Sequence, residues 1–276
     1  MNIYYYLSIA LGTALIITFP GFFRVVYFIS IGYGYSIAGI VAVYALFLFD
    51  KAKWNTYLQL LILFIYGIRL GTYILIREKK IQYKKELEEV KKRESEVNKS
   101  SLILIWIGVS ILYVAMTLPA FASGISHLKL FSPLLTKTTA IVINISGIII
   151  MIFGFTIEAT ADWQKNNFKK HNPNDFCTVG LFSFVRCPNY FGEMLVWIGS
   201  FIAGLPYLGS LWLIIPSIIS LSCILLIMMG STKRLEVKQE ERYGNREDYK
   251  TYRSHVPVLF PFIPVYSLKN VKVYLE

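Results

Sequence analysis

The chain has 276 residues, of which 55% are hydrophobic and 16% are charged, and its mean hydropathy is +0.52. Soluble proteins carry about 25% charged residues, so this composition excludes an ordinary soluble domain. The formal net charge of +11 could suggest a nucleic-acid partner. Its placement beside apolar runs instead indicates membrane orientation and contact with lipid headgroups, so we expect no nucleic-acid partner.

Seven apolar runs predict transmembrane helices, because about 20 apolar residues are needed to cross the hydrocarbon core. The sixth run is the shortest. No basic leader or small-residue cleavage site accompanies the first run, so we expect no cleaved signal peptide. The sequence therefore predicts an all-α, polytopic bundle that forms a single membrane-embedded domain over residues 1–276. The seven runs cover residues 3–19, 31–49, 55–76, 101–121, 138–158, 189–205 and 211–230.

Lysine and arginine predict the orientation of this bundle. With seven spans, 23 of these residues fall on one side of the membrane and four on the other. The richer side holds loop 77–99, loop 159–188 and the tail after residue 231. Because positive charge accumulates on the cytoplasmic side, we expect the N-terminus outside and the C-terminus in the cytoplasm. We expect the membrane to be the cell (inner) membrane. Loop 77–99 also carries many glutamates, which predicts a solvated helical connector.

Metal and disulfide chemistry find no support in the sequence. The three cysteines lack C-x-x-C spacing, and the three histidines are scattered. Glycines at helix-packing spacing, such as Gly34, Gly67 and Gly71, predict close contacts between transmembrane helices.

A polar stretch follows the fifth apolar run. Glu158 and Asp162 are four residues apart, so both carboxylates share one helix face. Charged groups at this depth are costly unless they face a cavity, a ligand or one another, which points to a site. Glu158 fits a polar helix terminus equally well, whereas Asp162 suits the ribose hydroxyls of a dinucleotide.

A second polar segment leads into the sixth run. Pro188 begins a helix and places Asn189 in its first turn, where unpaired N–H groups attract anions. Arg186 beside that terminus could bind a phosphate, and an ordinary loop-to-helix junction is the alternative. Glu193, one turn into the run, favours the site because a carboxylate inside a span needs a partner.

The tail supplies a third polar segment. It is predicted to extend the seventh helix and to carry Arg234 and Lys238 on one face, where they serve either as a membrane anchor or as phosphate ligands. The predicted topology brings all three segments to the cytoplasmic face, where they could form one pocket for an anionic cofactor. In the third run, Tyr66, Arg69 and Tyr73 share a helix face, although Tyr66 alone fits ordinary packing.

Three motifs resemble the steroid 5α-reductase family, and most closely its uncharacterised bacterial, DUF1295-like branch. They are Asp162-x-Gln-Lys, the run Gly-Leu-Phe-x-x-x-Arg-x-Pro-Asn-Tyr-x-Gly-Glu-x-x-x-Trp over residues 180–197, and Tyr-Gly-x-x-x-x-Tyr…Val-Pro over residues 243–257. The superfamily also includes sterol reductases and isoprenylcysteine carboxyl methyltransferases. The likeness covers about residues 155–262 and extends to Tyr66-x-x-Arg69-x-x-x-Tyr73.

The resemblance implies NADPH on the cytoplasmic side and a hydrophobic, lipid-like substrate deeper in the membrane. It divides the domain into substrate-side helices (1–76), a charged loop (77–100) and a cofactor-binding half (101–276). Tyr66 would bind the substrate ketone. The implied cofactor residues, taken with Arg186 from the previous argument, are Asp162, Lys169, Arg186, Asn189, Glu193, Arg234, Lys238 and Tyr243.

One departure and two alternatives accompany this resemblance. The steroid enzymes pair the tyrosine with a glutamate on the second helix, where this chain has no carboxylate before Asp50. A ketone-polarising Tyr/Glu pair and a 3-oxo-steroid substrate are therefore open questions. The first alternative is an S-adenosylmethionine-dependent methyltransferase of the isoprenylcysteine type, although that family carries Arg-His-Pro where this chain has Cys187. The second is a non-catalytic lipid-binding bundle.

Overall fold

The fold was analysed in a computed structural model that describes residues 3–78, 98–125 and 136–271. Within these ranges the chain is helical and contains no β-strand, which confirms the predicted all-α class. Most of the predicted charged connector 77–99, and residues 126–135 between the fourth and fifth apolar runs, lie outside the described residues. The helices are α1 (Ile3–Thr18), α2 (Val26–Ile29), α3 (Ile31–Phe47), α4 (Trp54–Glu78), α5 (Lys99–Ile125), α6 (Lys137–His171), α7 (Pro188–Gly204), α8 (Leu211–Tyr243) and α9 (Glu247–His255).

Five helical segments are long and apolar enough to cross a membrane, so the chain is an integral membrane protein. They are Ile3–Phe22, which joins α1 to a 3-10 turn, and helices α4, α5, α6 and α8. The other two predicted spans, α3 and α7, are helices of 17 residues each. At 1.5 Å per residue each reaches about 25 Å, less than the ~30 Å hydrocarbon core. Seven crossings and the orientation of the termini stay predictions.

Two of these helices continue far past their apolar runs. Helix α6 has 35 residues and α8 has 33, so the polar sequences after residues 158 and 230 are helical. The predicted extension of the last span into the tail is thereby confirmed. Both extensions carry several of the residues that the resemblance singled out.

The chain divides into two compact units. Unit 1 comprises Met1–Ile148 and Ser200–Ser220, and unit 2 comprises Ile149–Gly199 and Leu221–Glu276. The described residues 101–125 and 136–148, which the resemblance places in the cofactor-binding half, fall in unit 1. The division into a substrate side and a cofactor-binding half stays a prediction. The single embedded domain stays a prediction.

Glycines allow α3 and α4 to pack backbone against backbone in unit 1. A Cβ atom added to Gly34 would lie 2.6 Å from the Gly71 nitrogen, and one added to Gly67 would lie 2.4 Å from the Gly34 oxygen. Neither distance leaves room for a side chain, so the predicted small-residue packing is confirmed. This contact fixes the position of Tyr66 relative to α3, because Tyr66 directly precedes Gly67 on α4.

A buried amide network joins α4, α6 and α7 within unit 1. Asn55 donates to the side-chain oxygen of Asn144 at 2.6 Å, and Asn144 donates to the Ala203 carbonyl at 2.8 Å. Gln59 donates to the Ser200 carbonyl at 3.1 Å. In an apolar bundle such bonds connect helices that have little hydrophobic reason to associate.

Candidate functional site

The polar extension of α6, residues 159–171, has a polar face that belongs to unit 2. Glu158 is 2% exposed and Asp162 is 9% exposed. The helical repeat places Lys165, Asn166 and Lys169 on the same face. Charged residues are rarely buried to this degree unless they interact with other groups. The face therefore has the composition of a binding or ion-pairing surface.

The opposite face of the same extension borders an open pocket of about 380 Å³. The pocket and the polar face are separate features, because their residues lie on opposite sides of the helix. The residues that line the pocket are Trp163, Gln164, Asn167, Phe168, His171, Asn172 and Val179.

Helices α6 and α7 cross in backbone contact beside Glu158. A Cβ atom added to Gly192 would lie 2.6 Å from the Glu158 nitrogen, and one added to Gly154 would lie 2.6 Å from the Gly192 oxygen. Glu193 follows Gly192 directly and is 7% exposed. The glycine of the Tyr-x-Gly-Glu motif therefore makes the helix contact that positions the carboxylate after it.

Gln164 has a structural task that the sequence did not reveal. Its side-chain oxygen accepts the Leu181 N–H at 2.9 Å. Gly180 has a φ of +63°, and a Cβ atom there would lie 2.3 Å from the Gln164 side-chain nitrogen. The amide of Asp162-x-Gln-Lys thus holds the turn that opens the Gly-Leu-Phe motif, and that turn requires glycine.

Arg186 forms a buried ion pair with the extension of α8. Its Nη2 lies 3.2 Å from a carboxylate oxygen of Glu236, and both side chains are 1% exposed. The same nitrogen donates to the Tyr266 carbonyl. The second oxygen of Glu236 accepts the Leu268 N–H at 2.9 Å, and the backbone N–H of Arg186 donates to the Pro257 carbonyl at 2.9 Å. This pair ties the chain before α7 to the C-terminal segment.

An aromatic cluster holds the segment between α6 and α7. Phe176, Tyr243 and Tyr249 are buried against one another, with ring centroids 5.1 to 5.8 Å apart. Lys169 donates to the Tyr243 hydroxyl at 3.3 Å. The guanidinium of Arg246 lies 5.0 Å from the centre of the Phe176 ring, a cation–π distance. The Tyr-Gly-x-x-x-x-Tyr motif is therefore part of a packed scaffold.

The two cysteines of this region are shielded from reaction. Burial raises the pKa of the Cys177 thiol, and it raises the pKa of Cys187 to about 11. The thiolate is the reactive form, so both side chains are poor nucleophiles at neutral pH. Among the described residues no group of His, Cys, Asp and Glu could hold a metal ion.

The eight predicted cofactor residues all lie in unit 2, and contacts join their three segments pairwise. Gly192 meets Glu158, Arg186 pairs with Glu236, and Lys169 bonds to Tyr243.

Three of the predicted cofactor residues are less buried than the others. Asn189 is half-buried in the first turn of α7, and Lys238 is exposed. Arg234 is also exposed, and it donates to the Ser231 hydroxyl at 3.2 Å. The roles of these residues stay predictions.

Tyr66 belongs to unit 1, where it is fully buried. Its hydroxyl lies 3.2 Å from the hydroxyl of Tyr33 on α3. Tyr33 is not among the sequence-predicted site residues, because the resemblance implies a carboxylate, and not a hydroxyl, beside Tyr66. Glu236 is likewise absent from the predicted site residues, because the sequence of the tail fits a membrane anchor as well as a phosphate site.

Comparison with known proteins gives one relationship. Neither the curated proteins nor the solved structures contain a significant match to the chain. The model of the family described as "Protein of unknown function (DUF1295)" matches residues 27–256, so the chain belongs to that family.

Proposed function

We propose that the protein is an NADPH-dependent reductase of an activated carbon–carbon double bond in a lipid-like substrate. The observation that carries this proposal is the pairwise joining, inside unit 2, of the three polar segments that the sequence predicts to hold a dinucleotide. Buried acids, several cations and a helix N-terminus thereby occur in one compact unit. A dinucleotide offers hydroxyl donors, amide groups and anionic phosphates to such a set.

The side chains present fit this ligand. Asp162 and Glu193 offer carboxylate oxygens to ribose hydroxyl or amide donors, and Asn189 lies at the helix terminus where phosphates bind. Arg186 keeps two buried guanidinium nitrogens, Nε and Nη1, without a hydrogen-bond partner among the described residues. Phosphate oxygens satisfy such donors well. Both nitrogens are covered by protein, so a phosphate would reach them only after the covering residues move.

The proposed chemistry follows from these assignments. When bound, the reduced dinucleotide supplies a hydride to the β-carbon of the alkene and is itself oxidised. Tyr66 donates a hydrogen bond to the substrate oxygen on which negative charge develops, and water supplies the proton for the α-carbon. In this proposal Tyr33, the hydrogen-bond neighbour of Tyr66, orients the catalytic hydroxyl.

Titration of the detergent-solubilised protein with NADPH, NADH and S-adenosylmethionine tests the proposal. We expect NADPH to bind, and we expect Asp162→Asn to weaken it by about 10- to 100-fold, the value of a hydrogen bond to a charged group. Asp248→Asn is the matched control, because Asp248 is an exposed carboxylate of the same unit that pairs with Arg246.

The other outcomes are equally informative. Binding of S-adenosylmethionine alone would replace the proposal with a methyltransferase, and binding of none of the three would favour a non-catalytic lipid-binding protein. Equal loss of affinity in both aspartate variants would refute the assignment of Asp162. Oxidation of NADPH on addition of a lipid-like enone, followed by its absorbance, then tests the reaction itself.

A further inference from the structure

The tail contains an uninterrupted apolar stretch in an otherwise charged sequence. Residues 231–255 include twelve Lys, Arg, Asp and Glu side chains, whereas residues 256–266 include none. That stretch reads Val-Pro-Val-Leu-Phe-Pro-Phe-Ile-Pro-Val-Tyr. The resemblance and the proposed cofactor site leave its second half without a role.

The stretch folds as a hairpin, which we define as residues 258–265. The Val258 N–H donates to the Val265 carbonyl at 2.9 Å, and the Ile263 N–H donates to the Phe260 carbonyl at 3.4 Å. The base of the hairpin is fixed, since Val258 is 1% and Leu259 is 0% exposed. Its apolar side chains are therefore presented on a defined backbone.

The tip of this hairpin is apolar and points away from the protein. Phe262 is 91% exposed and Ile263 is 51% exposed. Phe262 also has a φ of +66°, a left-handed conformation that is unfavourable for a bulky side chain. A strained residue that exposes a large apolar ring is a recurrent sign of an interaction surface.

The backbone of the hairpin suits an environment with little water. Pro261 and Pro264 have no N–H group, and the N–H groups of Val258, Ile263 and Val265 bond to carbonyls within the hairpin. Unpaired donors are what makes loops costly to place in lipid. Proline and internal pairing reduce that cost here.

The position of the hairpin points to the same environment. The Phe260 ring lies 6.5 Å from the ring of Phe191, edge to face. Phe191 is in the first turn of α7, where the sequence predicts that the chain enters the membrane. The predicted crossing by α7 would place a bilayer beside this helix end.

We propose that hairpin 258–265 is an interfacial anchor whose tip, Phe262 and Ile263, inserts at the headgroup–acyl boundary of the leaflet that surrounds the start of α7. Aromatic and apolar side chains commonly occupy this layer, with polar groups remaining in water. The inference is independent of the proposed cofactor and reaction.

Site-directed spin labelling in vesicles tests this anchor. Phe262→Cys and, as the matched control, Ser254→Cys are labelled in a Cys223→Ser background; Cys177 and Cys187 are buried with raised pKa values and take up little label. Ser254 is an exposed residue of α9, in the charged part of the same tail. The collision rates of each label with oxygen and with a water-soluble nickel complex are measured in vesicles of phosphatidylcholine and phosphatidylglycerol.

We expect the oxygen-to-nickel ratio at residue 262 to exceed that at residue 254 several-fold. Equal ratios would place the tip in water and overturn the proposal. A second copy of the chain could also shield the tip, so the measurement is repeated in nanodiscs that hold one copy. If the high oxygen-to-nickel ratio at residue 262 persists in these nanodiscs, it supports lipid insertion. If the high ratio disappears, the tip lies at an interface between copies and the anchor is rejected.

Discussion

At the residue scale, Arg186 shows how one side chain can serve both structure and a predicted site. Its ion pair with Glu236 is almost completely buried, and the two residues bind neighbouring positions of the C-terminal segment, the Tyr266 carbonyl and the Leu268 N–H. Taking two charges out of water is costly, so such a pair is weak evidence for stability compared with apolar packing. Removing one partner, however, leaves the other charge buried and unbalanced.

We therefore expect Glu236→Gln to lower the free energy of unfolding by about 3 kcal/mol, because Arg186 would lose its counter-ion. Thermal or denaturant unfolding in detergent measures the change. Glu247→Gln is the control, since the carboxylate of Glu247 is 85% exposed in its pair with Lys250, and exposed pairs contribute about 0–1 kcal/mol. Similar stability of the two variants would contradict the buried pairing.

At the residue scale, the sequence identified positions better than it identified partners. Asp162 and Glu193 were found because acids are costly at the end of a span, and both are buried. The pairing of Arg186 with Glu236 could not be predicted, because it depends on a contact across 50 residues. Gln164 was identified only as part of the Asp162-x-Gln-Lys motif, and its bond to Leu181 depends on the turn at Gly180, which no periodicity encodes.

At the element scale, the apolar runs predicted the helices well and their ends poorly. All seven runs are helical, yet α6 extends to His171 and α8 to Tyr243. Hydropathy marks where a helix leaves the hydrocarbon, and helix propensity decides where it ends. The glycine contact between α3 and α4 was predictable from spacing, whereas the amide network of α4, α6 and α7 was not.

That network gives a prediction at the same scale. Asn144→Ala removes the bonds to Asn55 and Ala203, so we expect a loss of about 1 kcal/mol in stability, near the value measured for interhelical hydrogen bonds in membranes. Thermal unfolding in detergent is the readout. Asn172→Ala, at an exposed asparagine after α6, should leave the melting temperature unchanged. An unchanged melting temperature for Asn144→Ala would show that the network contributes nothing to stability.

At the scale of the whole molecule, family membership and the membrane class are confirmed, and the number of crossings depends on the two helices of 17 residues. Length alone does not decide this, because local thinning of the bilayer accommodates short spans at modest cost. The prediction of seven crossings treats every apolar run as a span, and the charge count then predicts only the orientation.

We expect cysteines placed at Asn172 and at Ser210, in a Cys223→Ser background, to lie on opposite sides of the membrane. These positions flank α7, so they are separated only if α7 crosses. A membrane-impermeant maleimide applied to sealed vesicles, before and after permeabilisation, measures the sidedness of each. Labelling of both positions from one side would show that α7 is not a span and would revise the predicted topology.

The contact between Gly154 and Gly192 has a consequence for how ligands reach the buried acids. Two backbones that touch leave no gap for an acyl chain or a water molecule at that level. A hydrophobic molecule from the bilayer therefore cannot pass between α6 and α7 there. A ligand that reaches Glu158 therefore has to approach from a position along the helices on either side of this backbone contact.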